Sequence, residues 1–237
     1  MPIKYDTRFK LRFLTAILIA GLVPISLAAD NDLTPQEKKE GWVLLFDGRS
    51  LANWMAGDGQ PCKRPPEMES INPHDAGLSM LVYREMFDNF VLVLDFKISP
   101  LCNSGIFVRT FPLTFVPGQG IGYYGIEMQI LDGGTTGFHD TGALYDLVKP
   151  TSNAMKPVGE WNHVNITCNK NVIDIVLNEK HVNHIDLDEW IEPNKRPDGT
   201  THKFNYALRD LPRKGYIGLQ DHGADCWFKN IKLKRLS

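Results

Sequence analysis

One segment of the chain concentrates residues able to do acid–base work. Over Tyr124 to Leu131, strand alternation puts Ile126, Met128 and Ile130 on one face and Gly125, Glu127 and Gln129 on the other. A carboxylate beside a carboxamide on such a face can move a proton and hold hydroxyl groups. Two more short segments supply companions. In Ile106 to Thr110, Ile106 and Val108 turn to the core and leave Phe107 and Arg109 opposite; near the C-terminus, Ile217 and Leu219 share one face, with Gln220 and His222 two apart on the other. If these three strands are neighbours in one sheet, their polar residues converge on one concave surface, where curved β-sandwiches commonly bind carbohydrate.

Conventional glycoside hydrolysis would need two carboxyl groups, about 5–5.5 Å apart in a retaining enzyme. Glu127 is followed at i+2 by Gln129, which cannot ionise, and at i+4 by Leu131; Asp132 has the other parity. A paired-carboxylate displacement is therefore disfavoured on this strand, and the partner would have to come from another. Asn103, Gln129, Gln220 and Asp132 suit hydrogen bonds to sugar hydroxyls, while Tyr124, Tyr145 and Trp161 could stack on a pyranose ring. His139 lies in the glycine-rich stretch Gly133 to Gly142, where a binding or lid-like loop is expected.

The elements that must position these groups read as strands. Val43 to Phe46, Val91 to Ile98, Ile106 to Thr110, Gly125 to Leu131, His163 to Cys168, Val172 to Leu177, Tyr216 to Leu219 and Trp227 to Leu233 are short alternating runs between Gly, Pro, Asn and Asp clusters. Thr34-Pro35-Gln36-Glu37 carries an N-cap, an N1 proline and an N3 glutamate, which predicts a short helix to Glu40 stopped by Gly41. No amphipathic helix of a dozen residues separates the strands, so a βαβ architecture fails and an all-β antiparallel sandwich is expected.

The 237 residues, 43% hydrophobic and 23% charged, exclude a disordered or coiled-coil chain. Residues 1–29 have the layout of a secretory signal: Lys4, Arg8, Lys10 and Arg12, an apolar run from Phe13 to Val23, then Ser26-Leu27-Ala28-Ala29. The run is short of the roughly 20 residues that span a bilayer, so a cleaved leader and an exported, periplasmic or secreted domain over 38–237 are expected, with no membrane partner after cleavage. The leader holds four basic residues and one acid, Asp6, a net +3, so its removal takes the formal charge from −2 to −5. That balance argues against a nucleic-acid partner. Export would permit disulfides among Cys62, Cys102, Cys168 and Cys226, and the sequence leaves open all three pairings as well as independent buried thiols.

Several segments, in this order along the chain, resemble the 3-keto-disaccharide hydrolase domain family. They are Gly41-Trp42 with Leu45-Phe46-Asp47-Gly48 and Trp54, Asn103-Ser104-Gly105-Ile106-Phe107-Val108-Arg109, Tyr124 to Asp132, Thr141-Gly142-Ala143-Leu144-Tyr145, Gly159-Glu160-Trp161-Asn162, Leu177-Asn178, Gly215 to Gly223 and Phe228-Lys229-Asn230-Ile231. Two departures are visible: Glu179 stands where the hairpin after Leu177-Asn178 usually has glycine, and the Phe111 to Gly122 loop is long, which suggests a site rim particular to this chain. The resemblance implies a concanavalin-like jelly-roll sandwich and action on a small carbohydrate already oxidised to a ketone at C3. Such a ketone acidifies the C2 proton, so one base can start elimination of the C1 substituent, and water then adds back. The reaction needs a base, an electropositive group at the C3 oxygen and an acid for the leaving oxygen. Glu127 or His139 fits the first role, Arg109 the second and His222 the third. A divalent cation could replace Arg109, with Glu127 and His222 as its ligands instead of catalysts. A non-catalytic lectin-like binding module and a glycosidase with a dispersed carboxylate pair are the competing readings.

Overall fold

The computed structural model describes residues 29–57, 59, 62, 69–75, 79–110 and 125–237. The leader, but for Ala29, and the Phe111 to Gly122 rim lie outside this range, as does Tyr124. The helix α1 (Pro35–Lys39) forms on a reciprocal capping box: Glu37 N donates to Thr34 Oγ1 at 3.1 Å and Thr34 N to Glu37 Oε2 at 2.7 Å. Glu40 caps it and Gly41, at φ +83°, turns the chain away.

Eleven strands follow among the described residues: β1 (Trp42–Leu44), β2 (Trp54–Ala56), β3 (Met80–Tyr83), β4 (Phe90–Ile98), β5 (Asn103–Thr110), β6 (Ile126–Leu131), β7 (Asn162–Asn169), β8 (Val172–Leu177), β9 (Lys180–Asp186), β10 (Tyr216–Gln220) and β11 (Cys226–Arg235). They make two antiparallel sheets, β1-β11-β4-β7-β8-β9 and β2-β3-β10-β5-β6. The expected all-β jelly-roll sandwich is the observed architecture. One continuous core fills the space between the sheets, with Phe90, Leu92, Leu94, Phe96 and Ile98 of β4 packed toward Ile106, Ile126, Met128, Ile130, Ile217 and Leu219. Each such side chain, fully buried, contributes roughly 1.5–3 kcal/mol.

Three strands escape the sequence pattern, each for a physical reason. β2 has three residues, too few to show alternation. β3 reads as unbroken Met80-Leu81-Val82 because both its faces are covered: Leu81 belongs to the main core, while Met80 and Val82 form a second apolar cluster with Phe107. In β9 a bulge between the partners of Ile175 and Val176 shifts the register, so its buried apolar residues, Val182 and Ile185, are three apart instead of two. The hairpin before β9 turns at Asn178 (φ 47°) and Glu179 (φ 68°), so the turn has the two positive φ values of a type I′ hairpin without a glycine.

A bulge also removes Arg109 from its expected face. β5 pairs with β10 at Phe107↔Gly218 and Thr110↔Tyr216, so three steps on β5 oppose two on β10. Arg109 takes up the extra residue in a left-handed conformation, φ 53°. Its buried guanidinium reaches the end of the other sheet, where Nη2 donates to Lys170 O at 2.6 Å and Asp88 O at 3.4 Å.

Candidate functional site

The face of the five-stranded sheet turned away from the core carries a row of cross-strand neighbours. Register pairs Met55 with Val82, Val82 with Gly218, Gly218 with Phe107 and Phe107 with Glu127. The row continues past the last strand, because Gly142 to Tyr145 runs antiparallel beside β6: Tyr145 N donates to Glu127 O at 2.9 Å, Gln129 N to Ala143 O at 2.9 Å and Gly142 N to Gln129 O at 3.0 Å. Tyr145 thus stands opposite Glu127 on the same face, at the spacing of a cross-strand pair. One end of the face is apolar, with Met80, Val82 and Phe107 backed by Met55 and Tyr216; the other is polar.

Glu127 centres the polar end. It is buried, and its carboxyl lies across Gly105: a Cβ added there would sit 2.3 Å from Oε1 and 2.8 Å from Cγ. Glycine at 105 is what leaves room for the side chain. Burial pushes Glu127 up to about 7, against the opposing pull of the Lys203 ammonium. Burial in turn pushes Lys203 down to about 8, although Glu127 and Asp146 favour its charged form. Sequence reasoning missed Lys203, which sits in an irregular stretch without strand alternation and is placed entirely by tertiary contacts. Asp146 (φ 59°) accepts Lys203 N at 2.6 Å and Arg196 Nη2 at 3.1 Å, and Arg196 Nε donates to Leu147 O at 3.1 Å. The Lys203 ammonium then rests 4.0 Å from the centre of the Tyr145 ring.

His139 joins this group at the rim. Its ring stacks on Tyr145 at 4.5 Å between centroids, and Nε2 lies 3.6 Å from Asp146 Oδ1. Gln129 is buried beside Glu127 on the same strand face, and its Nε2 donates to Asn103 Oδ1 at 2.8 Å. Gln220 is buried at the end of β10, with Oε1 unpartnered among the described residues. The structure therefore brings together Glu127, Gln129, Asn103, Gln220, Tyr145 and His139, and adds Lys203.

Other expected site residues stand elsewhere. Arg109 is held by backbone carbonyls at the far sheet, because the bulge turned it over. Trp161 lies against the outer face of the six-stranded sheet, with Lys97 Nζ at 5.0 Å and Lys229 Nζ at 4.5 Å from its ring centre. Asp132 is a loop staple, accepting Leu101 N at 2.8 Å. His222 is exposed in the bend beyond the end of β10, past the point where strand parity holds. Among the described residues no three His, Cys, Asp or Glu side chains are grouped to hold a metal ion.

Residues 41–234 match the sequence profile of the 3-keto-alpha-glucoside-1,2-lyase-like domain. The chain belongs to this family. It is 28% identical over 229 residues to a 3-keto-disaccharide hydrolase of Bacteroides thetaiotaomicron, covering 83% of this chain and 79% of that protein. Among solved structures, two Parabacteroides distasonis proteins assigned as glycosyl hydrolases superpose on it. One is 32% identical, with TM-score 0.60 over 67% of this chain and 83% of the other. The second is 25% identical, with TM-score 0.72 over 88% of this chain and all (100%) of the other. Family membership and these relatives give the domain a glycosidase-like role on carbohydrate.

Proposed function

We propose that this site cleaves 3-keto-glycosides by elimination followed by hydration. Glu127, as carboxylate, takes the C2 proton; the electron pair moves toward C3, and the oxygen there gathers negative charge that the Lys203 ammonium offsets. The C1–oxygen bond then breaks, His139 protonates the departing oxygen, and water adds across the C1–C2 double bond to complete net hydrolysis. Tyr145 supplies a ring beside the sugar, while Gln129, Asn103 and Gln220 offer hydrogen bonds to its hydroxyls. Lys203 takes the electrostatic role that the sequence had suggested for Arg109.

The observation that carries this reading is the buried Glu127 carboxylate, packed across Gly105 and pushed up to about 7 by burial against the pull of the Lys203 ammonium. A base poised near the working pH is what proton abstraction next to a carbonyl requires, whereas a conventional displacement calls for a second carboxyl group beside the first. An exported domain, freed of residues 1–29, belongs to the same reading. Glu127→Gln keeps the shape of the site and removes its base. Turnover of a 3-keto-glucoside should fall about 10²–10⁴-fold, with binding of the same sugar retained. Turnover at the wild-type rate would overturn the assignment.

A further inference from the structure

Cys102 and Cys226 come from different sheets and meet in the core. Cys102 immediately precedes β5 of the five-stranded sheet, and Cys226 opens β11 of the six-stranded one. The backbone brings them together. Cys226 pairs with Ile98 across β4 and β11, Ser99 N donates to Asp225 O at 3.0 Å, and the turn through Leu101 (φ 60°) folds back so that Cys102 N donates to Ser99 O at 3.3 Å. Both residues are buried, at 0% and 1% exposure, and the Cys226 thiol faces the Cys102 thiol and the Ser104 hydroxyl. Both are thiols in this structure. Cys168 lies apart from them on β7, beside Arg109.

We propose that Cys102 and Cys226 are a built disulfide site that joins the two sheets when the chain folds under oxidising conditions. The two Sγ–H groups lose their protons and two electrons, one S–S bond forms between them, and a small-molecule disulfide such as oxidised glutathione takes up the electrons and is cleaved to two thiols. The bond would hold the end of the sandwich that supports the polar half of the site. Cys102 O accepts Asp132 N at 2.8 Å, and Ser104 Oγ donates to Gln220 O at 2.7 Å, so the same few residues anchor the start of β5, which bears Asn103 and Gly105, and the end of β10, which bears Gln220. Reduction removes the covalent tie and leaves the packing. The inference is independent of the reaction the site performs.

The test is to refold the full chain from denaturant in a glutathione redox buffer, alkylate remaining thiols and digest with trypsin. Cleavage at Lys97, Arg109, Lys214 and Lys229 places Cys102 in peptide 98–109 and Cys226 in peptide 215–229. We expect these two peptides to be recovered joined, and separated by reductant. The oxidised protein should melt about 5–15 °C above the reduced one, and that gap should vanish in Cys102→Ala/Cys226→Ala. Recovery of both peptides alkylated, or of either joined to a peptide carrying Cys62 or Cys168, would overturn the proposal, and peptide mapping decides it even if the double variant does not fold.

Discussion

The Glu127 carboxylate occupies the space that a side chain at Gly105 would fill, on the neighbouring strand. The two residues are diagonal neighbours on one face, two residues out of register, since Gly105 pairs with Gln129 and Phe107 with Glu127. Gly105→Ala should therefore act through position rather than charge. The new methyl would meet Oε1 at 2.3 Å, and the flexible carboxylate arm, not the backbone, must give way. Displacing a base by about 1 Å can cost about 10²-fold in rate, while overpacking costs about 1–3 kcal/mol of stability. Steady-state kinetics beside a melting curve should show kcat falling far more than the modest loss of stability explains. A wild-type kcat would mean that the carboxylate does not work from this position.

The Glu127–Lys203 pair makes a specific statement about pH. The base is active when deprotonated, so kcat/KM should rise with pH as Glu127 loses its proton, near 7. The ammonium is needed charged, so the rate should fall again as Lys203 loses its own proton, near 8. The narrow bell belongs to the pair and not to either residue alone. Lys203→Met removes the cation that pulls Glu127 down. Its rising limb should therefore move to higher pH and its falling limb disappear, together with a loss in kcat. A profile unchanged in shape would separate Lys203 from the chemistry.

Arg109 provides the opposite expectation. Its guanidinium binds Lys170 O and Asp88 O, at the sheet away from Glu127. Arg109→Met should lower the melting temperature, because two backbone carbonyls lose a charged donor, an interaction worth about 1.5–3 kcal/mol. The folded protein should keep the wild-type kcat for a 3-keto-glucoside. A catalytic loss matching that of Lys203→Met would contradict this placement.

The contrast between Arg109 and Lys203 shows how much of the site was legible beforehand. Strand parity put Glu127 and Gln129 on one face, and the structure does the same, because β6 is regular from Ile126 to Leu131. Parity failed at Arg109 because one inserted residue with positive φ reverses the face, and nothing in the local residue types announces it. Parity also stops at the end of β10, two residues after which His222 is lost to a bend. Lys203 and Asp146 were illegible for another reason: they sit on irregular segments held by Arg196 and by each other, and periodicity carries no information about such contacts. The capping box of α1 was legible down to both hydrogen bonds, since it is specified within four consecutive residues. The strand set followed the same rule, clear where one face is buried and obscured where both are, as in β3.

The most direct measurement is a side-by-side turnover assay of a 3-keto-glucoside and its unoxidised parent glucoside by the wild-type protein. Elimination needs the acidity that the C3 ketone gives the C2 proton, so only the keto-sugar should be cleaved, with release of the C1 substituent. Equal cleavage of both compounds would contradict the role of Glu127 as a base acting at C2.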